Sequence, residues 1–474
     1  MRLALLVAGG VAFALLAAAP AARAVTIESV TSPGGITAWL VEDHSLPVVS
    51  MNLGFRGGGA ALDPADKAGL ATLTADLLDE GAGELDSTAF QGRLEDLASS
   101  LSFDAGDDNM GASLRTITAN VGAVCDLLRL ALTQPRFDDA AVARVRSQLL
   151  ADVARDERRP RFIAFRLWRQ NALPDHPYGR MAQGSPESIA RITAADMRAF
   201  VRARFAKDAL MIGIVGDITP AALQPLLDRT FGDLPAHAEA GAVAEAKVAD
   251  AGQLLLARLP IPQSVVTFGQ WGLKRDDPDW YAALIDNYVL GGGGFDSRLT
   301  HEVREKRGLA YSVYSSLDPR RHGGFVIGGV ATENAHVAQS IDIIRAEWQR
   351  MRDDGPTAKE VADAKTYLTG SLALSLDSTR RIAETLVTVE RDRLGIDYLD
   401  RRNALIDAVT LQDAKRVARR LFDPQALSFV VVGSPEKLAG AREVPTGLSE
   451  APPPPAVAAP PPALPNTGAG RTVH

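Results

Sequence analysis

An internal repeat is the feature that most constrains how this chain can fold. Residues 192–216 reappear as residues 409–433, and each copy runs from a threonine, Thr193 or Thr410, to an apolar strand that ends at a glycine. An aspartate stands three residues after each threonine, which is the spacing of a helix capping box. The repeat therefore predicts two tandem homologous domains.

The order of the predicted elements within each domain indicates an α+β fold. Strand-like segments cluster together and long helical segments follow them, which favours a mostly antiparallel sheet backed by helices on one face over a doubly wound sheet. The predicted organisation is a signal peptide at 1–24, an N-terminal domain at 25–235, a linker at 236–251, a C-terminal domain at 252–448 and a proline-rich tail at 449–474.

Both ends of the chain differ in composition from the two domains. Residues 1–24 combine an early positive charge, an apolar run and a small-x-small cleavage site at 22–24, which is typical of a secretory signal peptide. We expect a soluble protein with no membrane segment after cleavage, and the alanine-, arginine- and proline-rich usage favours a bacterial periplasm. Residues 449–474 contain proline runs at 452–455 and 460–462 and are predicted to be a disordered polyproline extension.

Charge and cysteine content argue against several classes of function. The formal net charge of −7 at pH 7 argues against nucleic acid or anionic lipid as a partner. Cys125 is the only cysteine, so no internal disulfide can form. Its apolar helical surroundings predict buried packing in preference to thiol chemistry. The chain also contains no Gly-x-Ser-x-Gly motif of a serine hydrolase.

A helix followed by a strand is predicted in the middle of the C-terminal domain. Residues 295–307 are predicted to form the helix, with Asp296 or Ser297 as its cap and Gly308 as its end. Residues 309–316 alternate in the manner of a strand.

Two residues of this segment are the candidates for function. Arg304 and Tyr311 lie across the predicted helix-to-strand joint, where a guanidinium and a phenol can point at one extended substrate. The alternative interpretation is an ordinary charged helix end followed by a hairpin.

Metal and phosphate motifs are incomplete in the same region. His301 and Glu302 begin a His-Glu-x-x-His zinc motif, but Glu305 stands where the second histidine is required. The glycine run at 291–294 is not followed by Gly-Lys-Ser/Thr, so it predicts a turn or hinge and not a phosphate site.

Several motifs together resemble the pitrilysin or insulinase (inverzincin) zinc metallopeptidases, in the short two-domain form that includes the processing peptidases. The motifs are Gly-Gly-Gly-x-x-Leu-Asp-Pro at 57–64 followed by Lys-Ala-Gly-Leu-Ala at 67–71, residues 156–160, Ser-Arg-Leu at 297–299 with Arg-Glu-Lys-Arg-Gly-Leu-Ala-Tyr at 304–311, and the tandem repeat. The resemblance covers nearly all of the chain after the signal peptide. It implies that the two domains form half of a clamshell chamber.

The resemblance also implies that this chain has lost the metal half of the active site. Catalytic members carry His-x-x-Glu-His directly after Gly-Leu-Ala, whereas this chain carries Thr-Leu-Thr-Ala-Asp at 72–76. Asp152 or a neighbour stands where a third ligand is expected, and a lone carboxylate does not hold zinc tightly. We therefore expect no zinc in this chain.

The arginine and tyrosine of the family match Arg304 and Tyr311, which the resemblance implies contact peptide carbonyls and stabilise the oxyanion. In some two-chain members one chain holds the zinc and the other supplies this pair. The leading hypothesis is a secreted, non-zinc-binding subunit of a heterodimer whose partner carries His-x-x-Glu-His and zinc. The alternatives are an inert structural or peptide-binding relative that scaffolds a complex, and an autonomous peptidase with an unusual metal site.

Overall fold

The computed structural model describes residues 26–239 and 241–448. The predicted signal peptide and the predicted proline-rich tail both lie outside these residues.

The first half of the chain contributes eight strands and eight α-helices among its described residues. The strands are β1 (Glu28–Thr31), β2 (Thr37–Glu42), β3 (Val48–Arg56), β4 (Gly81–Ala82), β5 (Leu85–Asp86), β6 (Ser100–Ala105), β7 (Asn109–Ile117) and β8 (Leu210–Gly216). The helices are α1 (Leu70–Ala75), α2 (Ser87–Asp96), α3 (Val121–Thr133), α4 (Asp139–Asp156), α5 (Pro160–Ala172), α6 (Pro186–Ala190), α7 (Ala194–Arg204) and α8 (Pro220–Phe231).

The second half contributes six strands and six α-helices among its described residues. The strands are β9 (Leu254–Arg258), β10 (Gln263–Trp271), β11 (Ala310–Arg320), β12 (Gly323–Glu333), β13 (Ser428–Gly433) and β14 (Arg442–Glu443). The helices are α9 (Trp280–Asn287), α10 (Val337–Asp354), α11 (Ala358–Ser375), α12 (Thr379–Arg391), α13 (Tyr398–Asp407) and α14 (Leu411–Leu421).

Five strands of the two large sheets have the same topology, and the outer strand differs because β1 pairs antiparallel with β2 whereas β14 pairs parallel with β9. The first has the order β1-β2-β8-β3-β7-β6, and the second, followed from the opposite edge, has the order β14-β9-β13-β10-β12-β11. In both sheets a long central strand, β3 or β10, pairs antiparallel with both neighbours. A parallel pair, β2 with β8 or β9 with β13, follows on one side. The mostly antiparallel α+β architecture predicted from the order of the elements is confirmed.

The two copies of the repeat adopt the same local structure. Helices α7 and α14 both begin with a capping box. The N–H of Asp196 donates to the Thr193 hydroxyl at 3.2 Å and the N–H of Asp413 donates to the Thr410 hydroxyl at 3.1 Å. Each helix leads into the inner strand of its sheet, so the predicted cap-helix-strand unit is confirmed in both halves.

Each sheet is also covered on its second face by a helix from the other half. Helix α5 packs across β10 and β13, and α12 packs across β3 and β8. Glycines in the strands permit this approach, because a Cβ on Gly269 would lie 2.7 Å from the Trp168 ring and one on Gly213 would lie 2.6 Å from the Ala383 carbonyl. The prediction of helices on one face was therefore incomplete. Periodicity within α5 shows that the helix is buried but not which sheet buries it.

The tips of two equivalent hairpins meet between the halves. In the β6–β7 turn, the carboxylate of Asp107 accepts hydrogen bonds from Arg169 at 2.9 Å and from Arg320 of the β11–β12 hairpin. Next to it, Asp108 accepts a hydrogen bond from the Tyr178 hydroxyl at 2.5 Å. Burial lowers the pKa of Arg169 and of Arg320 to about 10. This ion cluster joins the two halves through groups that have little access to water.

Candidate functional site

The glycine run and the residues after it form a series of short turns. A π-helical turn covers Tyr288–Gly292, a 3-10 turn covers Gly294–Asp296, and a second π-helical turn covers Thr300–Glu305. The prediction of one continuous helix over 295–307 was wrong. The backbone is extended at Ser297, with φ −80° and ψ 148°, and this separates the 3-10 turn from the π-helical turn that begins at Thr300.

The end of the predicted helix and the following strand are confirmed. Gly308 has a φ of +63°, and its N–H donates to the Arg304 carbonyl at 2.8 Å. Strand β11 then begins at Ala310, and its pairing with β12 shifts register between Ala310 and Val313. Such a bulge changes the direction of a side chain on an otherwise regular strand. Tyr311 lies in this bulge and is 84% exposed.

The guanidinium of Arg304 lies between two exposed aromatic rings. Its central carbon is 4.6 Å from the centre of the Phe295 ring and 5.0 Å from the centre of the Tyr311 ring. The structure thus brings the two predicted residues together. Each ring contributes a cation–π contact of about 0.5–1 kcal/mol at an exposed site, so the pair orders a long side chain that would otherwise be mobile.

Arg304 keeps its hydrogen-bonding capacity for a ligand. Within the described ranges it makes no ion pair, whereas Glu302 pairs with both Lys306 and Arg307 at 2.6 Å. Hydrogen bonds from Lys306 and Arg307 lower the pKa of Glu302 to about 2. This carboxylate is therefore ionised and already paired with two cations. Of these three neighbouring cations, Arg304 is the one that remains available.

Phe295 is a site residue that the sequence reasoning missed. It follows the glycine run directly and is 67% exposed. A large apolar side chain beside four glycines is unusual for a solvent-exposed turn, and this was the one available signal. The contact with Arg304 depends on the sharp turn at Gly294, which sequence periodicity does not reveal.

Arg298 fixes the segment that carries Phe295 and Arg304. Its guanidinium makes a bidentate pair with Glu360 of α11, with both N–O distances at 2.7 Å, and donates to the Gly355 carbonyl at 3.0 Å. Arg298 is buried and the Glu360 side chain is 28% exposed. Burial opposes ionisation of Glu360, but the Arg298 and Thr357 hydrogen bonds lower its pKa to about 2.

We expect Glu360→Gln to reduce the free energy of unfolding by about 2 kcal/mol at pH 7, between the values for exposed and buried ion pairs. The folded-state pKa of Glu360 lies below its ordinary value of 4.5, so the pair stabilises the protein above that pH. This contribution is lost as the pH falls from 4.5 towards 2. Urea unfolding of the variant and of Glu305→Gln, a control at an exposed residue, measures it. A pH-independent difference would contradict the assignment.

The residues at the position of the zinc motif cannot provide a zinc site. Helix α1 carries Thr72, whose hydroxyl donates to the Ala182 carbonyl at 2.8 Å, and Ala75, which is buried. Asp76 is solvent-accessible, but the surrounding protein partly desolvates it, and this together with repulsion from Asp152 raises its pKa to about 6. Zinc sites in proteins need three or four nitrogen, sulfur or carboxylate ligands. No group of three or more His, Cys, Asp or Glu residues that could hold a metal occurs in residues 26–239 and 241–448.

The two predicted site regions lie in different halves of the chain. Thr72 lies on α1 and Asp76 directly follows it, whereas Arg304 lies in the π-helical turn Thr300–Glu305 and Tyr311 lies on β11. No hydrogen bond, ion pair or ring contact joins the two groups in the described part of the chain. Among residues 26–239 and 241–448, Arg304 and Tyr311 therefore have no group of three or more potential metal ligands beside them.

Comparisons with known proteins place this fold and this site in one family. A family model described as the peptidase M16 inactive domain matches residues 191–368, which include Arg304 and Tyr311. A crystal structure described as the peptidase M16 inactive domain from Pseudomonas fluorescens superposes with a TM-score of 0.81 at 27% identity, covering 87% of this chain and 99% of that chain. This chain is similar to members of the peptidase M16 family.

Relatives within M16 include proteins named as peptidases and as non-peptidases. The non-peptidase homolog YmxG of Helicobacter pylori is 26% identical over 84% of this chain and 91% of its own length. The beta subunit of the mitochondrial-processing peptidase of Blastocladiella emersonii is 23% identical over 86% of this chain and 88% of its own length. The expected family and two-domain α+β fold are confirmed, and the chain is a peptidase-like M16 protein similar to inactive members.

The helices of the described residues differ from membrane-spanning helices in length or in hydropathy. None of the helices in residues 26–239 and 241–448 is both long and apolar enough to cross a bilayer.

Proposed function

We propose that this M16 chain is the non-zinc-binding subunit of a secreted heterodimeric metallopeptidase. The observation that carries the proposal is the geometry of Arg304, which is held between Phe295 and Tyr311 and has no carboxylate partner among the described residues. A structural arginine would have its donors satisfied by the protein. This one is ordered and retains its donors.

Arg304 and Tyr311 offer the donors that a peptide bond needs. The planar guanidinium presents five N–H groups and the phenol presents one O–H, and both can donate to carbonyl oxygens of an extended peptide. When water adds to the scissile carbonyl, its oxygen becomes an anion and accepts these hydrogen bonds more strongly than the ground state does. One such donor contributes about 2.7–4 kcal/mol to the transition state in comparable sites.

The partner chain has to supply the metal and the general base. The donor set at 72–76 with Asp152 does not fit zinc, so no step of the proposed reaction uses a metal held by this chain. We propose a partner that is homologous and carries His-x-x-Glu-His with zinc. The two domains of this chain, at 25–235 and 252–448 with a linker at 236–251, would form one half of the chamber that encloses a peptide.

The proposed compartment follows from residues 1–24, whose sequence predicts export, and we propose the bacterial periplasm. The substrate is a peptide or an unfolded segment that enters the chamber. Unfolded segments are suitable because an extended backbone has unsatisfied donors and acceptors for Arg304, Tyr311 and a sheet edge.

A second function is an inert relative that binds peptides or scaffolds a complex. The name of the Helicobacter pylori relative, a non-peptidase homolog, favours this alternative. Under it, Arg304 and Tyr311 contact no reacting group.

Co-expression with a zinc-bearing M16 homologue separates the two functions. We expect the two chains to co-purify and to hydrolyse a quenched fluorescent peptide at least 10-fold faster than the homologue alone. Equal rates for the homologue alone and for the mixture would refute the shared site and leave the scaffold function.

Metal analysis of the purified chain gives a separate prediction. After expression in zinc-containing medium and dialysis, we expect much less than one zinc per chain, because the residues at 72–76 lack both imidazoles. Stoichiometric zinc would revive the hypothesis of an autonomous peptidase with an unusual site. The co-expressed homologue serves as the positive control.

A further inference from the structure

An apolar groove opens between the start of helix α5 and the part of the second sheet that α5 leaves uncovered. Its volume is about 470 Å3. Three aromatic side chains line it together with aliphatic ones: Phe162, Phe165, Tyr314, Val265, Leu317 and Ile327. Arg159 and Arg161 lie at its rim. Aromatic residues over a shallow apolar floor are the usual lining of sites that take polyproline segments.

The last described residues run along α5 towards this groove. Arg442 donates to the Asn171 side chain at 3.3 Å, near the C-terminal end of α5. Further along the chain, the Thr446 carbonyl accepts a hydrogen bond from Arg166 at 2.5 Å. The chain therefore advances antiparallel to the helix. Gly447 lies directly against Arg166, since a Cβ there would be 2.9 Å from the guanidinium.

Leu448 continues this path at the surface of the protein. It is half-buried and packs against the apolar cluster that also contains Phe165 and Trp168. Phe162 lies one helical turn before Arg166, about 6 Å along the axis of α5. Because an extended polyproline chain rises about 3.1 Å per residue, residues 452–455 are within reach of the groove.

The residues that follow Leu448 have the composition that such a groove accepts. Residues 452–455 and 460–462 are prolines, separated by alanines and one valine. A polyproline helix has no internal hydrogen bonds and little conformational freedom to lose, so it binds aromatic grooves through ring packing and exposed carbonyls. Arg161 is exposed and makes no ion pair in the described ranges, and Glu450 is the only acidic residue in 449–474. Glu450 of the segment and Arg161 of the groove lining thus carry opposite charges.

We propose that the proline-rich segment at 449–474 occupies this groove in its own chain, with residues 452–455 against Phe162, Phe165 and Tyr314. Tethering at Leu448 gives the segment an effective concentration of about 1 mM or more, so even weak packing fills the groove. The groove shares strand β11 with Tyr311, so the segment lies next to the Arg304 site. This inference does not depend on the proposed peptidase role.

The reactivity of an introduced thiol tests the proposal. Ser316 is exposed and lines the groove, and Ser102 is exposed on β6, the equivalent strand of the first sheet. The native Cys125 is buried, and burial raises the pKa of its thiol to about 12, so it does not compete for a maleimide. The two reporters are Ser316→Cys and Ser102→Cys in the full chain, each with the native segment and with all prolines of 452–455 and 460–462 replaced by serine.

We expect the proline replacements to increase maleimide labelling at position 316 at least 5-fold and to leave labelling at position 102 unchanged. A synthetic peptide of residues 449–465, added to the proline-replaced chain, should restore slow labelling at position 316. Unchanged labelling at 316 would overturn the proposal, as would an equal increase at both positions.

Two further results would overturn the proposal by naming another occupant. Protection at position 316 that increases with protein concentration would place the segment in the groove of a second copy. Labelling that the proline replacements leave unchanged but that an added unrelated apolar peptide slows further would assign the groove to peptide ligands.

Discussion

Arg304→Ala is expected to lower kcat/KM of the assembled peptidase about 100-fold, since one oxyanion donor contributes about 2.7–4 kcal/mol in comparable sites. The loss should fall mainly on kcat if the guanidinium acts on the transition state. Arg304→Lys should recover little of the rate, because an ammonium lacks the planar fork that lies between Phe295 and Tyr311. Initial rates on a fluorescent peptide with the zinc-bearing homologue measure the effect.

Three further variants identify the cause of this loss. Phe295→Leu keeps an apolar side chain but removes the ring from Arg304, so we expect a smaller loss of rate than for Arg304→Ala and recovery with Phe295→Tyr. Arg380→Ala removes an exposed arginine on α12, which pairs only at 3.8 Å with Glu384, and should leave the rate unchanged. If Arg304→Ala and Arg380→Ala have equal rates, the scaffold function is correct.

Asp107→Ala is expected to reduce the free energy of unfolding by about 3 kcal/mol, because it leaves the buried Arg169 guanidinium without its ion-pair partner, while Arg320 keeps Asp318. Asp107 accepts hydrogen bonds from Arg169 and Arg320, which come from different halves of the chain. Both guanidiniums are largely buried, as their lowered pKa values show. Urea unfolding monitored by circular dichroism measures the change.

An exposed ion pair is the control for this substitution. Asp363→Ala removes the partner of Lys359 on the surface of α11, where the N–O distance is 2.6 Å. Exposed pairs contribute about 0–1 kcal/mol, so this variant should unfold almost as the parent does. A loss below 1 kcal/mol for Asp107→Ala would mean that the cluster does not hold the halves together.

Much of the fold was predictable because its signals are local. The capping boxes at Thr193 and Thr410 need only residues three positions apart, and both appear in the structure. The end of the turn at Gly308 and the start of strand β11 follow from single-residue preferences. The prediction of a continuous helix over 295–307 was wrong because extended backbone at Ser297 and a π-helical turn at Thr300–Glu305 replace the regular helix.

The candidate site was predictable only in part. The resemblance selected Arg304 and Tyr311, and the structure brings them to either side of a cation–π contact. Phe295 was not predicted because its contact with Arg304 depends on the turn at Gly294, and no spacing of residues in the sequence marks that turn. The domain boundaries, the partner and the roles of Arg304 and Tyr311 in a reaction remain predictions for the experiments above.

The sequence by itself determined that the chain is a doubled α+β unit of M16 type without the zinc motif. Repeats, caps and missing imidazoles are properties of neighbouring residues, and no folding is needed to read them. Only the tertiary structure decided that α5 and α12 cover the opposite sheets and that Asp107 joins the two hairpins. It also decided that Arg304 lies between two rings and has no acidic partner among the described residues. These contacts join residues far apart in the chain, and their geometry depends on how the two halves pack.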